Sequence, residues 1–379
     1  MLKTAPAVFA VAQDYQIMVQ ISDPVLFSVR VGDEEYFDES NGIMRSLSEV
    51  HRVIVPQAEL DRANEYTVCV RPLLHRKPYF TTTAPLQTFT FPFVPVPEKN
   101  IRAYHISDAH NRIDGPVAAA RAFGDIYFLI LNGDIIDHSG DPSKFDNIYR
   151  LCAELTGGTK PVVFSRGNHD MRGNFAEKFA EYTPNCNGNT YYTFRLGSIW
   201  GILLDCGEDK DDSSDEYGFT VACRSFRRRQ TAFLKRVIAD CKNEYEAEGV
   251  RTRLVISHIP FSYIHWAPFD IERAVYFEWC ALLREHVRPD AMICGHMHNL
   301  EVWHPGWYTD HLGQPAPVVI GSTINPNDRS YFAGCGFTFD GHCITAVFND
   351  STGAVLRQTE LHQYVRGPFS PADAARNVE

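Results

Sequence analysis

The chain has 379 residues, 44% of them hydrophobic and 12% aromatic, with 36 Lys plus Arg against 47 Asp plus Glu and a formal net charge of −11. That composition is of an ordinary folded protein and excludes the disordered, collagen-like and coiled-coil classes. The acidic balance argues against a surface built for nucleic acid, because phosphate neutralisation needs clustered positive charge.

At ~150 residues per domain the length favours two domains. The first reads as all-β. Strand-like runs at 8–21, 26–31, 53–56, 66–73 and 87–93 are separated by the turn signals Gly32-Asp33 and Asn41-Gly42, with only a weak helical period over 58–64. A small all-β sandwich over residues 1–97 is expected. Pro92, Pro95 and Pro97 then remove backbone donors from an extended stretch, which reads as a semi-rigid linker.

After Asn100 the rhythm becomes strand, loop, helix. Apolar runs at 101–106, 126–131 and 162–164 alternate with helical patterns at 115–123 and 143–155. A hairpin across Gly197-Ser198, a helix at 227–241, a strand at 253–256, a helix at 272–286 and a strand at 291–294 follow. Strand-like runs at 318–320, 336–339, 344–348 and 355–361 close the pattern. The prediction is an α/β domain over 98–365, closed by an antiparallel β section, and a polar tail over 366–379. The basic group Arg224, Arg227, Arg228 and Arg229 opens an amphipathic stretch and reads as a solvated helix face.

No apolar run approaches the ~18 residues of a membrane span, and the short run from Pro6 to Ala12 is broken by Gln13-Asp14 before any convincing cleavage site. Ten cysteines are scattered without a C-x-x-C pair, several of them inside apolar runs. A reducing, cytoplasmic setting is expected; the even count leaves disulfides as the alternative.

Five short segments that follow strand-like runs carry the chemistry. They are Ser107-Asp108-Ala-His110, Asn132-Gly-Asp134-Ile-Ile-Asp137, Arg166-Gly-Asn168-His169-Asp170, Ser257-His258 and Gly295-His296-Met-His298. Loops at strand ends are where α/β sheets place functional groups. Carboxylates, imidazoles and one amide oxygen, without thiolates, suit Mn, Fe, Zn or Co. A carboxylate that bridges two ions ~3.5 to 4 Å apart would make a two-metal hydrolase.

Asp-x-His, Gly-Asp-x-x-Asp, Gly-Asn-His-Asp, His and Gly-His-x-His in this order resemble the calcineurin-like metallophosphoesterases, over about Ile101 to Asp350. The resemblance implies a β-sandwich flanked by helices (α/β/β/α) that hydrolyses phosphomonoesters or small phosphodiesters. Attack on phosphorus would be in line, by hydroxide shared between two transition-metal ions, with Mn, Fe or Zn as candidates. It implies that Asp108, His110, Asp134 and His298 hold one ion, and that Asp134, Asn168, His258 and His296 hold the other. His169 would assist the leaving group, oriented by Asp137, with Asp170 as the second choice of partner.

The domain order resembles that of purple acid phosphatases, which implies that the β-sandwich over 1–97 is fibronectin III-like, with one departure. Those enzymes carry a tyrosine ligand to ferric iron three residues after the bridging Asp; here Asp137 stands there, so no charge-transfer colour is expected. Substrate contacts are expected from Asn111 and Arg112 directly after Asp-x-His, and from His265 and Arg329 in loops beyond strand ends; His138 is a further candidate. The acidic run 207–217 reads as a solvated loop that would repel polyanions if it folded over the metals, and 321–329 as a wall. A nuclease of the same superfamily and a non-catalytic scaffold are the alternatives. The first is disfavoured by the lack of a basic stripe, the second by the intact motifs.

Overall fold

The computed structural model describes residues 2–341 and 343–362; the tail expected over 366–379 lies outside them. Its main feature is a 15-stranded sheet that bends into two stacked layers. One layer carries Thr193–Leu196, Ile199–Leu203, Thr252–Ile256, Ala291–Cys294 and Val318–Asn325. The other carries Asp328–Phe339, Ile101–Ile106, Phe128–Asn132 and Pro161–Ser165. The parallel strands are buried along their whole length, as runs such as Phe-Leu-Ile-Leu require when both faces are covered.

Three apolar clusters reveal the layering. Ala103, Phe128, Ile130, Leu254, Ile293 and Phe337 fill the space between the two sheets. Ile106, Leu129 and Leu131 point the other way, under the helices Asp114–Phe123 and Asp146–Thr156. Ile202, Val255 and Met292 face the helices Cys223–Ala239 and Arg273–Leu282. The period of two along each strand thus sends alternate side chains to inner and outer cores, and the order helix, sheet, sheet, helix results.

Within residues 2–92, Ala7–Val11, Asp14–Gln20 and Val50–Pro56 form one antiparallel layer. Gln87–Pro92, Glu65–His75, Val25–Val31 and Glu34–Phe37 form the facing one. The run read as 8–21 is a hairpin, turned at Ala12 with φ 53°. Asn41-Gly42 makes the two-residue turn its sequence announces, with φ 54° and 77°. The first layer does not stop at the linker: Ala7–Val11 pairs in parallel with Pro161–Ser165, extending the catalytic sheet. Among the described residues no helix is long and apolar enough to cross a membrane.

Candidate metal centre

The five motif loops converge beyond the ends of the strands that precede them. The loop after Ile101–Ile106 runs beside the one after Phe128–Asn132: Asp108, His110 and Asn111 donate their N–H groups to the carbonyls of Gly133, Asp134 and Ile135. From the other layer, Gly295 N–H bonds the His258 carbonyl, tying the last two motifs together. Close approach demands small residues here. A Cβ on Gly133 would lie 2.6 Å from Gly167 Cα and from His258 Nδ1.

Two clusters of donor atoms result. Asp108, His110 and His298 form one, and Asp134, His258 and His296 the other; the ligand atoms of each lie within 4.8 Å of one another. Asn168 joins the second through its Oδ1, 3.1 Å from His296 Nδ1. His258 Nε2 links the groups, 3.1 Å from Asp134 Oδ2 and 3.8 Å from Asp108 Oδ1. Asp108, His110, Asp134, His296 and His298 all hold φ between 44° and 68°. Non-glycine residues in that region cost ~1 kcal/mol or more each, and such strain gathers at functional sites.

A second ring of groups aims these side chains. Ser322 Oγ donates to Asp108 Oδ2 at 2.9 Å, and His296 N–H to both Asp108 oxygens. Asp170 Oδ2 accepts the N–H groups of Gly167 and Asp134 at 2.8 and 3.3 Å. His258 Nδ1 faces the Asn132 carbonyl at 2.8 Å, which leaves Nε2 for the centre.

The electrostatics are those of a site built for cations. Burial raises the carboxyl pKa of Asp108 and Asp134, but the neighbouring histidines overcome it and hold both below the usual range. The same exchange drives His258 up to about 10 against its own burial, while burial and the His258 charge push His296 down to about 4. Burial and the Asp134 charge lift Asp170 to about 7. His258 Nε2, although buried, is not aligned for a hydrogen bond. Two buried carboxylates balanced by protons on imidazoles, with an orphaned nitrogen between them, fit two cations that would displace those protons.

The model of the calcineurin-like phosphoesterase family matches residues 101–300, more than half of the chain. The chain belongs to that family. A probable cyclic nucleotide phosphodiesterase of Rhodopseudomonas palustris is 29% identical over 204 residues, which cover 51% of this chain and 64% of that protein, just under two thirds of its length. Among solved structures, a purple acid phosphatase from yellow lupin seeds superposes over 99% of this chain and 76% of its own, with TM-score 0.61 and 14% identity. A dimetal phosphatase from Danio rerio covers 70% of this chain and all of its own, with TM-score 0.46 and 14% identity.

The remaining expected contacts of this calcineurin-like phosphoesterase fall differently from the sequence reading. His169 does meet Asp137, but through the backbone: its Nδ1 lies 2.8 Å from the Asp137 carbonyl oxygen. The Asp137 carboxylate turns to His110 Nδ1 at 3.3 Å and accepts from the Asn111 amide. The His110 hydrogen bond is the chief reason its pKa falls below the ordinary value. Asn111, bonded also to Asn147 at 3.0 Å, is part of the scaffold. Arg112 is buried and donates to the Asn325 carbonyl at 3.3 Å. The 321–329 segment is a hairpin of two strands rather than a loop; Arg329, exposed at its tip, is near enough to help lower Asp137. His138 is exposed and accepts the Gly140 N–H.

His265 sits at the rim with Nε2 3.1 Å from the Met297 sulfur, and burial lowers its pKa. The sequence reading missed Arg172. Its Nη1 is 3.4 Å from His169 Nε2, while its other donors grip the buried Glu208 at 2.9 to 3.3 Å. Arg172 also pairs with Asp209 and Glu216, each at 3.5 Å. The acidic run 207–217, read as a solvated loop, is therefore clamped beside the centre. Its charge excess over 207–217 was visible in the sequence; the lone Arg two positions after Asp170 carried no comparable signal.

Proposed function

We propose that this chain is a dinuclear metal-dependent phosphoesterase acting on phosphomonoesters or small phosphodiesters. The observation that carries the reading is the pair of adjoining donor clusters, one on Asp108, His110 and His298 and one on Asp134, His258 and His296. In this reading Asp134 would be shared by two ions, Mn, Fe or Zn, and Asn168 would complete the second set. When bound, the ions supply Lewis acidity, lower the pKa of water and neutralise phosphate oxygens. The protein then does the rest: Ser322 Oγ and the His169 N–H fix the directions of the Asp108 and Asp134 carboxylates, Asp170 holds the backbone N–H groups of Gly167 and Asp134, and the enclosed loops keep the donors from relaxing. His169, tethered at Nδ1 to the Asp137 carbonyl and with Nε2 beside the Arg172 guanidinium at 3.4 Å, stands where it can steady or protonate a departing oxygen.

We also read residues 1–97 as a fibronectin III-like unit and 98–365 as the catalytic unit, supported by the layers of three and four antiparallel strands before Pro92. The acidic clamp at 207–217 favours small substrates over long polyanions. The test is hydrolysis of para-nitrophenyl phosphate and its bis ester by chelator-stripped protein reloaded with Mn, Fe(II) or Zn. Turnover restored by metal is expected, with Asp134→Asn lowering it by more than about 100-fold, since even groups that only orient ligands are worth 10 to 100-fold. No metal-dependent turnover of either ester would sink the reading.

A further inference from the structure

The segment that leaves His258 is unusual in its aromatic content and in where it leads. Tyr263 packs inward, stacked on His311 with ring centroids 4.7 Å apart and against the buried Trp303 at 5.1 Å. Ile264 N–H is bonded to His311 Nδ1 at 3.1 Å, so the backbone here is pinned. His265 stands edge-on to Tyr263 at 4.7 Å and reaches Met297, which lies between His296 and His298. Phe269 is capped by the Lys210 ammonium at 5.0 Å, and that ammonium is paired with Asp209 and Glu216. The exception in exposure is Trp266: its one ring contact is edge-on to His265 at 5.5 Å, and it is 72% exposed.

An indole left in water on a pinned loop, one side chain from the metal-ligand loop, is a large flat surface without an occupant. Ligand sites combine such apolar surface with a few polar groups that fix orientation, and here the polar groups are the donor clusters and His169. The clamp through Arg172, Asp209 and Lys210 joins His169 to Phe269, so the aromatic segment and the leaving-group side of the centre belong to one continuous rim.

We propose that Trp266, backed by His265, is a stacking platform for a planar aromatic ring in the leaving group, so that the substrates are phosphate esters of ring-bearing alcohols, nucleosides included. The proposal rests on the phosphoesterase reading and narrows its substrate class. Stacking of a ring on an aromatic side chain corresponds to about tenfold or more in affinity.

The experiment compares benzyl with cyclohexylmethyl esters, which share size and leaving-group chemistry but differ in flatness, as monoesters and as methyl diesters. A kcat/KM ratio of about tenfold in favour of benzyl is expected, collapsing towards one in Trp266→Ala and retained in Trp266→Phe. A ratio near one in the unaltered protein, or an unchanged ratio in Trp266→Ala, overturns the platform. Because both esters share the chemistry, a misfolded variant lowers both and leaves the ratio readable. Should neither these esters nor the para-nitrophenyl esters turn over with any metal, the phosphoesterase reading fails. The platform is then judged by calorimetry of benzylphosphonate against cyclohexylmethylphosphonate on the Mn-loaded protein: about tenfold tighter binding of the flat ligand supports it, and equal binding refutes it.

Discussion

Asp108 illustrates how much of this site is invested in aiming a single carboxylate. It is fully buried, its oxygens accept from Ser322 Oγ and His296 N–H, and its backbone is held at φ 53°. Ser322→Ala removes one donor and almost no volume, so metal affinity should fall by about 10 to 100-fold while the metal-free chain keeps its melting temperature; competition against a chelating dye reads the first and calorimetry the second. His169 and Asp137 separate in the same way. With the carboxylate on His110 and Asn111 rather than on His169, Asp137→Asn should weaken metal retention and leave the dependence of rate on leaving-group pKa unchanged. His169→Ala should steepen that dependence. A series of substituted phenyl phosphates distinguishes the two, and a steeper slope in Asp137→Asn would restore the carboxylate as the partner of His169.

Among elements, the strand ends were legible and the walls were not. Runs such as Phe128–Asn132 and Ala291–Cys294 are continuous apolar stretches closed by a polar motif, and a buried parallel strand has no other way to look. The order of Asp108, Asp134, Asn168, His258 and His296 along the chain therefore foretold their meeting at one sheet edge. The expectations for Arg112 and Asn111 drew on their neighbourhood in sequence to Asp-x-His, which says nothing about the hairpin Val318–Asn325 and Asp328–Phe339 whose Asn325 carbonyl meets Arg112 across 213 positions. The clamp was illegible for the same reason. Arg172 meets Glu208 across 36 positions, and only folding pairs a lone cation with one member of an acidic run. Its bidentate grip on a buried carboxylate is a geometry that lysine cannot copy. Arg172→Lys should loosen 207–217, seen as faster amide hydrogen exchange there than in the unaltered protein, with exchange in Phe128–Asn132 unchanged.

At the scale of the whole molecule, two features tie stability to the sheet that carries the centre. His105 lies on Ile101–Ile106 with both ring nitrogens buried and unpartnered, and burial drives its pKa down to about 3. The unfolded chain binds that proton near 6.5, so the unfolded state gains protons first as pH falls and stability is lost between pH 6.5 and 3. His105→Leu should flatten the fall of the urea midpoint over that range. The second feature is the seam at residue 97. Ala7–Val11 pairs with Pro161–Ser165, Phe9 meets Phe164 at 6.1 Å, and Val8, Val19 and Val55 share one apolar cluster with Ile130 and Val163. Removing residues 1–97 would expose a parallel strand edge and a face of that core together, each an aggregation hazard. A chain beginning at residue 98 should therefore be insoluble or molten, and the whole chain should unfold in one transition seen alike by tryptophan fluorescence and far-ultraviolet dichroism. Two separated transitions, with the 98–379 piece folded and able to retain metal, would make the N-terminal layer an independent domain instead of a part of the catalytic sheet.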